Sequence, residues 1–153
     1  MPKPRIYVDT TIPSAYYTAR TDPDMLKRRE QTRRWWEVAV HTSELVISPA
    51  VVRELARGHS NQVPHRLALI RDLTLLMSDE EVDETVATYV QQRVMPRDPH
   101  GDAMHLALAS HYECEVLVTW NFKHLANPYK LDRIRRLNEE LGPLFRVSFR
   151  RWY

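Results

Sequence analysis

The chain has 153 residues, 27% of them charged and 43% in the hydrophobic set from Ala to Cys, the balance of a folded globular protein and not of a disordered one. Its 22 Lys and Arg against 20 Asp and Glu leave a net +2, which permits a polyanionic partner without requiring one. Three glycines and a single cysteine, Cys114, exclude a glycine-rich phosphate loop, an intrachain disulfide and a cysteine-rich zinc site. The length suits one domain over 1–153. The start, Met1-Pro-Lys-Pro-Arg5, leads into a strand-like run with no apolar leader, and no stretch approaches a membrane span. A soluble cytoplasmic protein is expected.

In chain order, Ile6 to Val8 is an apolar run ending in Asp9-Thr10-Thr11, and Pro13 bars a strand from continuing. A helix is expected over Asp24 to Val40, with Thr32, Trp36 and Val40 on its apolar stripe and Lys27, Arg28, Arg33 and Arg34 mostly elsewhere. Leu45 to Ile47 reads as a second strand. Pro49 then opens a helix that Gly58 can end. Leu73 to Met77 reads as a third strand, and Ser78-Asp-Glu-Glu81 is a capping-box pattern for a helix to about Arg93. Gly101-Asp102 opens a helix to about Tyr112, Val116 to Trp120 gives a fourth strand, and Lys130 to Leu141 a last helix. Phe145 to Trp152 alternates like an edge strand. Runs apolar at successive positions suit strands covered on both faces, so the alternation predicts a three-layer α/β fold with a mainly parallel sheet.

Ligands of open parallel sheets sit beyond the carboxyl ends of the strands. Asp9 follows the first strand and Asn121 the fourth, Asp102 opens the helix before the fourth, and Glu54 lies beside Val51 and Leu55 at the margin of a helical stripe. Each has a plainer reading. Asp9 could cap its turn, Asp102 could be an N-cap, Glu54 could pair with Arg57, and Asn121 could turn the chain. Those readings do not explain why all four fall at one rim. Three carboxylates and an amide carbonyl form an oxygen donor set of the kind that hard divalent ions take.

Taken together, Tyr7-Val-Asp9-Thr-Thr-Ile-Pro13, Ser48-Pro-Ala-Val-Val-Arg-Glu54-Leu55, Gly101-Asp102-Ala-Met-His-Leu-Ala-Leu-Ala109 and Leu117-Val-Thr-Trp-Asn121-Phe-Lys-His-Leu125 resemble the PIN-domain family. The nearest resemblance is to the VapC-type toxins of bacterial toxin–antitoxin pairs. It implies a PIN-like αβα sandwich with a mainly parallel central sheet and a metal-dependent endoribonuclease using Mg²⁺ or Mn²⁺. It also implies an RNA substrate, a small antitoxin partner and a homodimer. Carried across, Asp9, Glu54 and Asp102 match the family's three most regular acids, as catalytic and metal residues. Thr10 or Thr119 would give hydrogen-bonding support. The fourth position departs from the pattern: Asn121 stands where an aspartate is common, and offers a metal a carbonyl without charge. That departure keeps an alternative open, a catalytically weak PIN-like module that binds RNA or protein. A phosphatase of the haloacid-dehalogenase type is set aside, because its second acid would stand at position 11, which is Thr11.

Around these motifs, His105 lies one turn from Asp102 and could orient it, although a buried, hydrogen-bonded histidine is the simpler reading. His100 and His124 lie near it in sequence, with no zinc-ligand spacing. Asp98 reads as part of a loop turn. Lys27 to Arg29 with Arg33 and Arg34 could touch phosphates, but acids interleave them and a solvated face serves equally. Of the adjacent Trp35 and Trp36, only one can face the core.

Overall fold

The computed structural model describes residues 2–95, 101–121, 125, 128–141 and 148–150. Among these, one sheet contains β1 (Arg5–Val8), β2 (Glu44–Ile47), β3 (Thr74–Leu75), β4 (Val116–Val118) and β5 (Ser148–Arg150). Its order is β3-β2-β1-β4-β5, and every neighbouring pair is parallel. Ile6, Tyr7 and Val8 are all buried, as are Leu45, Val46 and Ile47. Successive side chains point to opposite faces of a sheet, so such runs require cover on both.

The helices are α1 (Thr11–Tyr16), α2 (Pro23–Thr42), α3 (Pro49–Ala56), α4 (Val63–Ile70), α5 (Glu80–Gln91), α6 (Asp102–His111) and α7 (Pro128–Leu141). From β1 the chain steps outward to β2 and β3, then returns to the other side of β1 for β4 and β5. Right-handed crossovers in opposite directions put their helices on opposite faces. The packing agrees, since α1 lies against α2 and α4, α4 against α3, and α5 against α6. Tyr89 of α5 donates to Asn138 Oδ1 of α7 at 2.5 Å, and Asn138 donates to Ser110 Oγ of α6 at 3.2 Å. This buried polar link ties the second layer together. The expected αβα sandwich is the observed fold.

Several local expectations change. In α2 the buried residues are Thr32, Trp36 and Ala39, while Val40 is 40% exposed. At about 100° per residue, eight positions overshoot two turns by about 80°, and seven nearly close them. Trp36 is buried and Trp35 packs partly exposed at the core's edge. The N-cap of α5 is Asp79, which accepts from Val82 N at 2.8 Å, while the expected cap Ser78 donates to Asp83 Oδ1 at 2.7 Å. A carboxylate is the stronger acceptor for an orphan N–H. β3 keeps two residues of the expected five-residue run, both exposed, so it is a short edge and not a core strand. β5 falls within the expected edge strand and lies at the other edge. Neither α1 nor α4 was expected. Each is short and carries a proline within its first turn, Pro13 and Pro64, where a missing N–H costs nothing.

Candidate active site

The strand order reverses at β1 and β4, which are direct neighbours with Val8 opposite Val118. The next residues, Asp9 and Thr119, therefore leave the sheet side by side at its carboxyl edge. This is where open α/β sheets form clefts. Asp9 is 2% exposed. Its Oδ1 accepts from Thr11 N at 3.1 Å and Thr11 Oγ1 at 2.6 Å, and its Oδ2 accepts from Thr119 Oγ1 at 2.7 Å. Each hydroxyl in turn accepts a backbone N–H, Thr11 from Trp120 at 2.8 Å and Thr119 from Asn121 at 2.9 Å. Those acceptances aim both hydroxyl hydrogens at the carboxylate. The turn-capping reading of Asp9 thus holds for one of its contacts and leaves the others to the site.

Asp102 is the first residue of α6, buried, and its Oδ2 accepts from Asn121 Nδ2 at 3.1 Å. The N-cap is Gly101, in the left-handed region at φ 77°. A Cβ there would fall on Glu54 Oε1, so glycine is required for close approach as well as for conformation. Glu54, in α3, reaches across: Thr10 Oγ1 donates to its Oε2 at 2.5 Å, and Oε1 lies 3.1 Å from His105 Nε2. The expected alternative partner, Arg57, is not what it meets. His105 Nδ1 is 2.7 Å from the Tyr7 hydroxyl, which is 2.8 Å from Ser48 Oγ. A buried chain thus runs from β1 and the start of α3 to the carboxylate.

Burial sets the electrostatics. Desolvation pushes Asp9 up from 3.8 to about 6, against the lowering pull of His105 and of the Thr11 and Thr119 hydrogen bonds. For His105, burial disfavours the charged ring. The hydrogen bond and charge of Glu54, with Asp9 and Asp102 behind it, outweigh this, so its pKa lies above 6.5. Tyr7 is driven well above its usual value, chiefly by burial, and stays a neutral phenol.

Asp9, Glu54, Asp102 and Asn121 all line one open cleft of about 700 Å³, whose lining also includes Arg20, Arg28, Arg66 and Trp120. The four side chains singled out in the sequence are brought together. Asn121 enters differently from expectation, as a donor holding Asp102. Thr10 and Thr119 both give the support expected of them. Thr11 was missed as an Asp9 partner, although a hydroxyl two residues after an aspartate is a recognisable turn signal. Tyr7 and Ser48 left no such signal, because only the sheet register brings them to His105. His100, His124 and Asp98 lie outside the described residues. The donor set suits a hard divalent cation: oxygen atoms throughout, three carboxylates, and one of them buried with its charge incompletely compensated. Among the described residues, the set of three whose ligand atoms all lie within 4.8 Å of one another is Asp79, Glu81 and His111, on the surface where the start of α5 meets the end of α6.

A family model described as PIN domain matches residues 6–127. VapBC2 from Rickettsia felis, solved bound to a DNA fragment from their promoter, has a chain similar in fold at TM-score 0.59 and 14% identity, over 95% of this chain and 98% of that one. FitAcB from Neisseria gonorrhoeae matches at TM-score 0.52 and 15% identity, over 83% of this chain and 93% of that one. Among curated proteins no sequence matches. Among the described residues no helix is long and apolar enough to cross a membrane. The matched span contains β2 to β4, all of β1 but Arg5, and every carboxylate of the cleft, and the chain belongs to the PIN domain family.

Proposed function

We propose that the chain is a divalent-metal-dependent endoribonuclease, the toxin of a toxin–antitoxin pair, acting in the cytoplasm. The observation that carries this reading is Asp9: a fully buried carboxylate with a pKa near 6, in one cleft with Glu54 and Asp102. Such a group destabilises a metal-free fold at neutral pH, and a bound cation would offset that cost. Asp9, Glu54 and Asp102 would hold Mg²⁺ or Mn²⁺, with the Asn121 carbonyl as a further oxygen. When bound, the ion supplies polarisation of a phosphate oxygen and a lowered pKa for water.

The protein's own groups do the rest. Thr11 and Thr119 fix both oxygens of Asp9, and Asn121 fixes Asp102. The Glu54 side chain is 19% exposed and bonded to His105. It is the carboxylate open to the cleft and can take a proton from an attacking water, with His105 steadying its charge. Single-stranded RNA incubated with Mn²⁺ should be cut, and EDTA should stop the reaction. Glu54→Gln should lose cleavage about a hundredfold or more with an unchanged circular dichroism spectrum. Persistent cleavage in EDTA would reject the reading.

The resemblance to VapC-type toxins supports a small antitoxin partner and a homodimer. A stoichiometric complex with the antitoxin should not cut RNA, and full activity in that complex would contradict the pairing.

A second reading, a weakly catalytic module that binds RNA or protein, is favoured by Asn121. Asn121→Asp replaces a donor 3.1 Å from Asp102 Oδ2 with a second carboxylate. Like charges at that distance repel, so the metal-free protein should melt lower by about 3–6 °C, while Mn²⁺ binds more tightly. Scanning calorimetry with and without Mn²⁺ measures both. No change in either would mean that position 121 does not act on the site.

A further inference from the structure

The acidic floor of the cleft repels the substrate it is meant to hold. One metal ion can offset the phosphate being cut, but the neighbouring phosphates of a strand meet carboxylates unless another wall supplies positive charge. The lining of the same cleft includes Arg20, Arg28 and Arg66. Arg20 is engaged by Asp22 at 2.9 Å, and Arg28 lies 5.1 Å from the centre of the Trp120 ring. Arg66 is different. It projects from α4, is half-buried, and its Nε donates to the Tyr17 carbonyl at 3.1 Å. That bond fixes the plane of the guanidinium without neutralising it. Its two terminal nitrogens meet no acceptor among the described residues. A guanidinium held through Nε at the lining of a cleft is pre-organised for an anion with two oxygens in a plane, and little side-chain entropy is left to lose.

We propose that Arg66 is a positioning residue that grips a non-scissile phosphate of a single-stranded RNA lying across the acidic floor. This rests on the ribonuclease reading for its substrate, but the contact itself is one of binding. Arg66 thereby sets where along the strand the cut falls relative to the bound phosphate. The residue is invisible to acid-based motif reading because it contributes charge from a helix outside all four motifs.

The test is equilibrium binding of a short fluorescein-labelled single-stranded RNA, followed by anisotropy in Ca²⁺ across a salt series, with cleavage in Mn²⁺ followed on gels. Arg66→Gln should weaken binding about tenfold at low salt and reduce the slope of log affinity against log salt by about 0.7, the loss of one phosphate contact on a single strand. Arg66→Lys keeps a point charge but lacks the Nε bond, and it should retain most of that slope. If the role were only to bond the Tyr17 carbonyl, both variants would melt lower and both would keep the parental slope, which would overturn the proposal. The two readings separate cleanly. RNA binding with an Arg66-dependent slope but no cleavage in Mn²⁺ removes the ribonuclease and keeps the contact. Cleavage with a parental slope in Arg66→Gln removes the contact and keeps the ribonuclease. A parent that neither binds nor cuts removes both.

Discussion

Asp9→Asn is expected to lose Mn²⁺-dependent RNA cleavage about a thousandfold while melting higher than the parent in the metal-free state at neutral pH. The two effects share one cause. Burial raises the carboxyl from 3.8 to about 6, so the folded state holds its proton more tightly than the unfolded chain. The stability that this proton confers is fully present below about pH 4 and is lost as pH rises through 6. A shift of about two units corresponds to about 3 kcal/mol. Asparagine is isosteric and can still accept from Thr11 and donate to Thr119, so it removes the charge without opening a cavity. Metal-free parent should therefore lose stability between pH 4 and 6, and the variant should lose less. Catalysis goes the other way, because the amide removes a full negative charge from the cation's surroundings, an electrostatic loss of the size seen when one preorganised group is deleted. Melting curves from pH 4 to pH 8 alongside a cleavage assay measure both. A variant that melts lower than the parent at pH 8 would show that Asp9 is compensated within the protein and does not await a cation.

Gly101→Ala should be the most damaging change that touches no functional group. The residue has φ 77°, and its Cβ would fall on Glu54 Oε1, with His105 Nε2 3.6 Å away. The left-handed conformation costs a non-glycine residue about 1–2 kcal/mol. Displacing Glu54 from the buried His105 costs about 1–3 kcal/mol more. For a chain of this size the sum lowers the melting temperature by about 5–15 °C. Cleavage should fall about a hundredfold through the misplaced carboxylate. Thermal melting and cleavage rates check the two parts separately. Parental activity in Gly101→Ala would mean that Glu54 can move aside without consequence.

What could be read beforehand divides along physical lines. β1 and β2 were plain because their residues are buried on both faces and carry unbroken apolar runs. Asp9 and Asn121 were plain because they directly follow strands in a sheet whose clefts open at that edge. α1 and α4 escaped because short helices show too few turns for a period to emerge, and Pro13 read only as the end of a strand. Val40 was assigned to the core by spacing alone, and the helix phase put Ala39 there instead. The polar chain from Ser48 through Tyr7 to His105 could not be foreseen, since Tyr7 and His105 are 98 positions apart and meet only through the packing of α6 on β1. Asn121 was foreseen in place but not in role. Whether an amide presents its carbonyl or its NH₂ depends on a neighbour, here Asp102, which composition does not reveal.

The most direct test is a calorimetric titration of the metal-free protein with Mn²⁺ at pH 6 and at pH 8, in buffers of differing ionisation enthalpy, for the parent and Asp9→Asn. An Asp9 carboxyl with a pKa near 6 is about half protonated at pH 6, so a cation that binds it must displace that proton. The parent should bind Mn²⁺ at both pH values and release about half a proton more at pH 6 than at pH 8, and Asp9→Asn should bind weakly with that difference gone. Equal Mn²⁺ affinity in the parent and Asp9→Asn, or no binding to the parent, would contradict a metal centre in this cleft.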